Sequence, residues 1–203
     1  MPNNIINASS SGSGGLITTA ADSGSLDFQS DGTTIATLSS TGLTMASGKK
    51  VFSEGSVLQV VSVSKSDTFS TTARSFTDIT GISLSITPKF STSKILVFMA
   101  VQVSNDGIDT TMVQMVRNST AIGIGDARGS RIRNTSQSVF ASNSVSSLTG
   151  ITLDSPSTTS ATTYKLQTRI DSSTAYINTQ SATGDGTYHG TNYSTIMVME
   201  IAA

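Results

Sequence analysis

Apolar and polar residues alternate with a period of two along short stretches of this chain, and turns rich in Gly, Asp and Ser separate the stretches. Successive side chains of a strand point to opposite faces, so this period predicts half-buried β-structure; a helix would need apolar residues three and four apart. The pattern is cleanest where Tyr164, Leu166, Thr168 and Ile170 alternate with Lys165, Gln167 and Arg169, which predicts one buried face and one wet face. No stretch of ten or more residues combines helical periodicity with caps. Ser and Thr together make up about a third of the chain. β-Branched Thr fits a pleated surface and Ser favours turns, so composition points the same way.

From Val57 onward the candidate strands are Val57–Lys65, Ser75–Thr80, Ile82–Thr87, Lys94–Val103, Thr111–Arg117, Thr120–Gly125, Ser136–Ser142, Ser147–Leu153, Thr163–Ile170, Thr174–Thr179 and Thr195–Ile201. Turns are expected at Thr80-Gly81, Asn105-Asp106-Gly107, Gly129, Asp171-Ser172-Ser173 and Gly184-Asp185-Gly186. Short strands at this spacing predict an all-β, antiparallel, jelly-roll-like sandwich for a head spanning residues 57–203. Ile95–Val103 is apolar at both parities, which predicts a central strand lying between the core and a further covering layer.

Ahead of the head the chain changes character twice. Residues 26–56 contain Leu26-Asp27-Phe28-Gln29, Thr34-Ile35-Ala36-Thr37-Leu38 and Leu43-Thr44-Met45-Ala46, separated by Ser30-Asp31-Gly32-Thr33 and Ser39-Ser40-Thr41-Gly42. This predicts three hairpin-linked strands forming a short stalk. Three such strands carry too little apolar area to stand alone and would need copies from neighbouring chains. Residues 1–25 are rich in Ser, Gly and Asn, and read as a flexible arm that docks through Ile5, Ile6, Leu16 and Ile17.

Charged residues are only 12% of the chain, about half the roughly 25% usual for soluble domains. Strands with so little charge risk edge-to-edge association, and a closed symmetric oligomer turns that liability into assembly. The net charge of −1 provides no field to draw in nucleic acid or an anionic membrane. With no Cys, disulfides, thiolate metal sites and Cys nucleophiles are excluded. No secretory signal is visible, and the aliphatic run Ile95–Val103 is too short to span a bilayer as a helix. Synthesis in a cytoplasm, with any exterior location reached by assembly, is the expectation.

Chemistry-bearing motifs are sparse. His189 is the single histidine, flanked by Asp185, Tyr188 and Tyr193 in a Gly-rich segment that reads as an exposed loop, and no Gly-x-Ser-x-Gly elbow accompanies it. Asp106 and Asp109 flank Gly107, where a turn needs those residue types more than a cation or sugar does. Arg128, Arg131 and Arg133 form the sharpest charge feature. Guanidinium groups match carboxylate and phosphate bidentately, while the more ordinary reading is ion pairing across a subunit interface or a solvated loop. No catalytic, cofactor-binding or metal-ligating set emerges, and the chain is read as a non-enzyme without cofactors.

Several segments carry a family resemblance: Val57-Leu58-Gln59-Val60-Val61-Ser62-Val63, Ser75-Phe76-Thr77-Asp78-Ile79-Thr80-Gly81 and Ser91-Thr92-Ser93-Lys94-Ile95-Leu96-Val97. To these are added Asp67-Thr68-Phe69-Ser70-Thr71, Ala121-Ile122-Gly123-Ile124-Gly125-Asp126, Leu153-Asp154-Ser155-Pro156, Tyr164-Lys165-Leu166-Gln167 and Ser194-Thr195-Ile196-Met197-Val198-Met199-Glu200-Ile201. Through them the chain resembles the tail-fibre or virion-appendage proteins of marine and cyanobacterial phages. Asp31-Gly32-Thr33-Thr34-Ile35-Ala36-Thr37 looks like the stalk repeat that often precedes such modules.

The resemblance implies a bacteriophage structural protein on the virion exterior, an obligate homotrimer that offers no catalytic residues. On the fibre or spike reading, the arm docks on the particle and C-terminal loops meet a host surface polysaccharide or protein. Those contacts would be Asp185, Tyr188, His189 and Tyr193, with Arg128, Arg131 and Arg133 for acidic sugars. The alternative is a capsid decoration protein bridging capsid subunits. A polysaccharide depolymerase is disfavoured by the scarcity of His and carboxylates and the lack of β-helix repeats. Partners are thus sister chains, other proteins of the tail or capsid and the host surface, with no nucleic acid and no membrane insertion.

Overall fold

The computed structural model describes residues 25–49, 51, 53–140, 144–180, 186–187 and 189–203. The arm residues Ile5, Ile6, Leu16 and Ile17 lie outside them. The chain divides into two units, Met1–Phe52 and Ser53–Ala203.

In the first unit, β1 (Leu26–Ser30), β2 (Thr33–Ser39) and β3 (Gly42–Met45) form an antiparallel sheet in that order. Asp31 and Gly32 join β1 to β2 with φ of 50° and 72°, the left-handed pair that a two-residue hairpin loop with the strands' own twist requires. Pairing places Leu26, Leu38 and Leu43 in one cross-strand row and Phe28, Ala36 and Met45 in the next, all on one face. The opposite face is polar, and there Thr37 Oγ1 donates to Asp27 Oδ1 at 2.5 Å. Of the apolar six only Ala36 is buried; Phe28, Leu38 and Leu43 are 49%, 45% and 55% exposed. This sheet has an apolar face and no second layer among the described residues of its unit.

The second unit is all-β, two antiparallel sheets in a sandwich. Its principal strands are β4 (Val57–Lys65), β6 (Thr77–Ile86), β7 (Lys94–Asn105), β8 (Asp109–Arg117), β10 (Ser136–Phe140), β11 (Ser146–Asp154), β12 (Thr162–Arg169) and β14 (Ser194–Ile201). The short strands β5 (Phe69–Thr71), β9 (Thr120–Ile122) and β13 (Ala175–Ile177) extend them. One sheet runs β4-β14-β7-β11, with β13 and β5 continuing the β14 and β4 positions; the other runs β6-β12-β8-β10, with β9 also on β8. Numbered one to eight in chain order, the principal strands stand 1-8-3-6 in one sheet and 2-7-4-5 in the other. This is the double Greek key of a jelly roll.

The core lies between the sheets. Ile95, Val97, Met99, Val101 and Val103 of β7 face Ile82, Leu84 and Ile86 of β6, Val113 and Met115 of β8 and Tyr164 and Leu166 of β12 within one buried cluster. At one end Tyr164, fully buried, donates its hydroxyl to Asp154 Oδ2 at 2.7 Å, and Arg117 Nη1 reaches Asp154 Oδ1 at 2.7 Å. This triad ties β11 of one sheet to β8 and β12 of the other. Burial and the neighbouring carboxylate push the Tyr164 phenol well above its ordinary value, so it stays a donor.

Two sequence expectations are corrected. Thr80-Gly81 is not a turn: β6 runs unbroken from Thr77 to Ile86, and pairing with β12 shifts register there. Gly81, at φ 89°, kinks the strand so that Ile79 and Ile82, of opposite parity, both enter the core at 2% and 0% exposure. Thr120–Gly125 is strand only to Ile122, because the chain leaves the sheet at Gly123 with φ 57°. The candidate Ser136–Ser142 is seen to Phe140, beyond which residues 141–143 lie outside the described set.

Candidate functional site

Once the core is filled, the head has two outer faces, and they differ sharply. On the β4-β14-β7-β11 sheet, Val60, Met199, Leu96 and Leu153 form a cross-strand row, and Met197, Phe98 and Ile151 form most of the next. Val60, Ile151 and Leu153 are exposed by 53%, 66% and 58%. Leu96, Phe98, Ile151, Met197 and Met199 surround an apolar hollow of about 180 Å³. Here is the second apolar face of β7 that the sequence predicts, and within this unit nothing covers it among the described residues.

The outer face of the β6-β12-β8-β10 sheet is polar. Asp78 accepts from Lys165 Nζ at 2.8 Å and from Gln167 Nε2 at 2.7 Å, and Gln167 accepts in turn from Gln114 Nε2 at 2.8 Å. The Lys165 ammonium and the Gln167 amide hold Asp78 below the ordinary carboxylate range. At the β8–β10 side of this face, the segment joining β9 to β10 and the sheet together line an open cavity of about 720 Å³.

That segment is pinned at its neck. Gly125 N donates to Asn134 O at 3.4 Å, Arg133 Nε to Gly125 O at 2.6 Å, and Thr135 N to Val113 O at 3.0 Å. Arg128, Arg131 and Arg133 all line the cavity, so the structure brings together the three arginines singled out in the sequence. Arg128 and Arg131 make no ion pair among the described residues.

The cavity adds a fourth cation that sequence reasoning missed. Arg169 sits on the wet parity of β12, as the alternation has it, yet only 6% of it is exposed, held against the Arg74 carbonyl and Met112. Its Nε donates to Arg74 O at 2.7 Å, its Nη2 pairs with Asp171 at 3.3 Å, and its Nη1 faces the soft Met112 sulfur at 3.6 Å. Periodicity could place Arg169 on the correct face but carries no information about the Arg74 carbonyl, almost a hundred positions away, that meets it there.

Asp106 and Asp109 act as turn anchors. Asp109 Oδ2 accepts from Ser172 N and Ser173 N at 2.7 and 2.9 Å and from both seryl hydroxyls at 3.0 and 3.1 Å, while Oδ1 accepts from Thr110 N at 2.6 Å. Asp106 Oδ1 takes Thr174 N at 2.8 Å. Burial pushes the Asp109 carboxyl up, but the amides of Ser172, Ser173 and Thr110 outweigh it and bring it down to about 2.

The remaining candidates do not join the cavity. His189, half-buried, donates its backbone N–H to Gly186 O at 2.9 Å, and Tyr193 is 65% exposed; neither lines it. Asp185 and Tyr188 lie outside the described residues. No group of three or more His, Cys, Asp or Glu able to hold a metal occurs among the described residues.

Fold and faces therefore define an all-β jelly-roll protein with one apolar and one cavity-bearing outer surface. No family model matches the chain, and no curated protein does. Among solved structures it is similar to one described as the structure of infectious bursal disease virus Gx strain, at 12% identity and a TM-score of 0.34. That likeness covers 87% of this chain and 47% of the other, so the chain spans about half the length of its neighbour. No helix among the described residues is long and apolar enough to cross a membrane.

Proposed function

We propose that this chain is a bacteriophage virion structural protein, a homotrimeric tail fibre or spike that docks by its N-terminal arm and meets the host with its head. One observation carries the reading: the β1–β3 sheet presents six apolar side chains in two rows on one face, with no layer to cover them among the described residues of its unit. A sheet with one apolar face is stable when that face is buried against another element. Sister chains supply it without any other partner, and three sheets closing on an axis would each turn that face inward.

The apolar outer face of the head supports the same assembly. Its two rows carry no charged side chain, so nothing in them selects a complementary charged partner, and a second copy of the same surface fits as well as any. The order of arm, stalk and head suits a fibre, as does the resemblance to phage appendage proteins. On this reading the protein is not an enzyme, and it works through avidity of several copies.

Light scattering on the purified full chain tests the assembly: three times the 20.9 kDa chain mass is expected, and a well-folded monomer across micromolar concentrations would sink the proposal. Ile151→Lys with Leu153→Lys places charge at two already exposed sites, so the isolated fold loses little, roughly 0.5 kcal/mol or less per site, while the oligomer should weaken. Counting copies per particle addresses the location. A few per tail fit the fibre, and hundreds would transfer the assignment to capsid decoration.

A further inference from the structure

We infer that the cavity beneath the 123–135 segment is a binding site for an acidic saccharide, with Arg128, Arg131 and Arg169 taking the anionic groups and Asn134, Gln137 and Thr110 the ring hydroxyls. The argument begins with Arg169. A guanidinium more than nine-tenths buried, bonded through Nε to the neutral Arg74 carbonyl and facing only one long contact to a largely exposed carboxylate and a thioether on its other nitrogens, has its charge only partly compensated. Buried charge of that kind is retained when something else neutralises it.

The cavity walls add Arg128 and Arg131, both exposed and both without an ion pair among the described residues, and Arg133, whose Nε alone is committed to Gly125. The lining thus holds four arginines against three carboxylates and keeps a net charge of +1; Asp109 is anchored by five hydrogen bonds within the fold and Asp171 pairs with Arg169, so neither makes an ion pair with Arg128 or Arg131 among the described residues. Planar guanidinium groups in this number suit carboxylate or sulfate groups carried at intervals on a larger molecule. The volume of about 720 Å³ is that of an organic ligand site rather than a seat for one small ion. Asn134, which donates to Gln137 Oε1 at 2.9 Å, and Gln137 also line the cavity as neutral donors and acceptors, which with the cations is the mixture that polyhydroxylated acidic rings require.

That the natural ligand belongs to a host surface rests on the virion reading above; the charge of the cavity does not. The two are separated by the choice of measurements. Calorimetric titration of the intact oligomer would use oligogalacturonate as the carboxylate probe, a sulfated dextran oligomer as the sulfate probe and maltohexaose as the neutral control. At least one acidic probe should bind, the neutral one should not, and raising NaCl from 50 to 300 mM should weaken binding by at least about tenfold. Arg128→Ala with Arg131→Ala, at exposed positions whose side chains make no ion pair among the described residues, should cost a further tenfold or more with unchanged melting temperature and oligomer mass.

Equal binding of the neutral probe, undiminished binding by the double variant, or no binding of either acidic probe at 50 mM salt would each overturn the site. A trimer that fails to bind refutes the site alone, and a monomer that binds refutes the assembly alone. If the arginines instead pair with carboxylates of a sister chain, the double variant would lose oligomer mass, and that too would overturn it.

Discussion

Asp109 shows how one side chain can hold two ends of a fold. Its two oxygens gather the amides and hydroxyls of Ser172 and Ser173 and the amide of Thr110, joining the β7–β8 turn to the segment after β12. Its proton affinity in the native state lies below that in the unfolded chain, where a pKa near 4 is expected, and falls to about 2. Stability from this group, on the order of 2 kcal/mol, is therefore complete above pH 4 and disappears as pH falls through about 2. Denaturant midpoints taken between pH 7 and 2 should decline more steeply for the wild type than for Asp109→Asn. At pH 7 that variant should lose roughly 2–4 kcal/mol, since an amide nitrogen would face donors where an oxygen accepted. An equally steep acid decline in both proteins would remove Asp109 from the explanation. At this scale the sequence was informative about type and silent about partner. Asn105-Asp106-Gly107 reads as a turn from its residues, but Ser172 and Ser173 are more than sixty positions away, and nothing in the turn names them.

Single strands owe their course to side chains from other elements. Gly150 lies on the inner parity of β11 opposite Met99. A Cβ there would meet Thr135 Cγ2 at 2.6 Å and Met99 Cε at 3.1 Å. The methionine can swing aside, whereas Thr135 is held because its hydroxyl accepts from Met115 N at 3.0 Å. Gly150→Ala should destabilise the head by about 1–3 kcal/mol, and adding Thr135→Ser, which keeps the hydroxyl and deletes the methyl, should restore most of it in thermal unfolding. No rescue would mean that the strain is taken up elsewhere. Strand positions were legible where alternation was unbroken, as in β4, β12 and β14. They were misjudged at Gly81, where a left-handed residue flips parity inside a strand and imitates a turn. Phe69–Thr71, too short to show any period, went unnoticed.

At the level of the whole molecule, what the sequence could convey was amphipathic balance. An all-β sandwich was readable from period and turns, and β7's double-sided apolarity marked a strand with a second surface to cover. The jelly-roll strand order was not readable in detail, because it depends on pairings between residues up to 144 positions apart, as for Ile201 with Val57. Nor was the cavity, whose floor on β8 and β12 meets its arginine wall only after the chain has doubled back. If the apolar faces are covered by sister chains, stability is linked to chain concentration. Melting temperature should then rise by a few degrees over a hundredfold increase in protein, and a flat dependence would argue for a self-sufficient subunit.

The 123–135 segment carries a further consequence. Its neck is fastened through backbone atoms and the Arg133 side chain, while the tip bearing Arg128 and Arg131 makes no ion pair among the described residues. Evolution is free to rewrite such a tip. Lineages could exchange its residues, and with them the chemistry of whatever the cavity accepts, while the scaffold behind it keeps the same architecture from one descendant to the next.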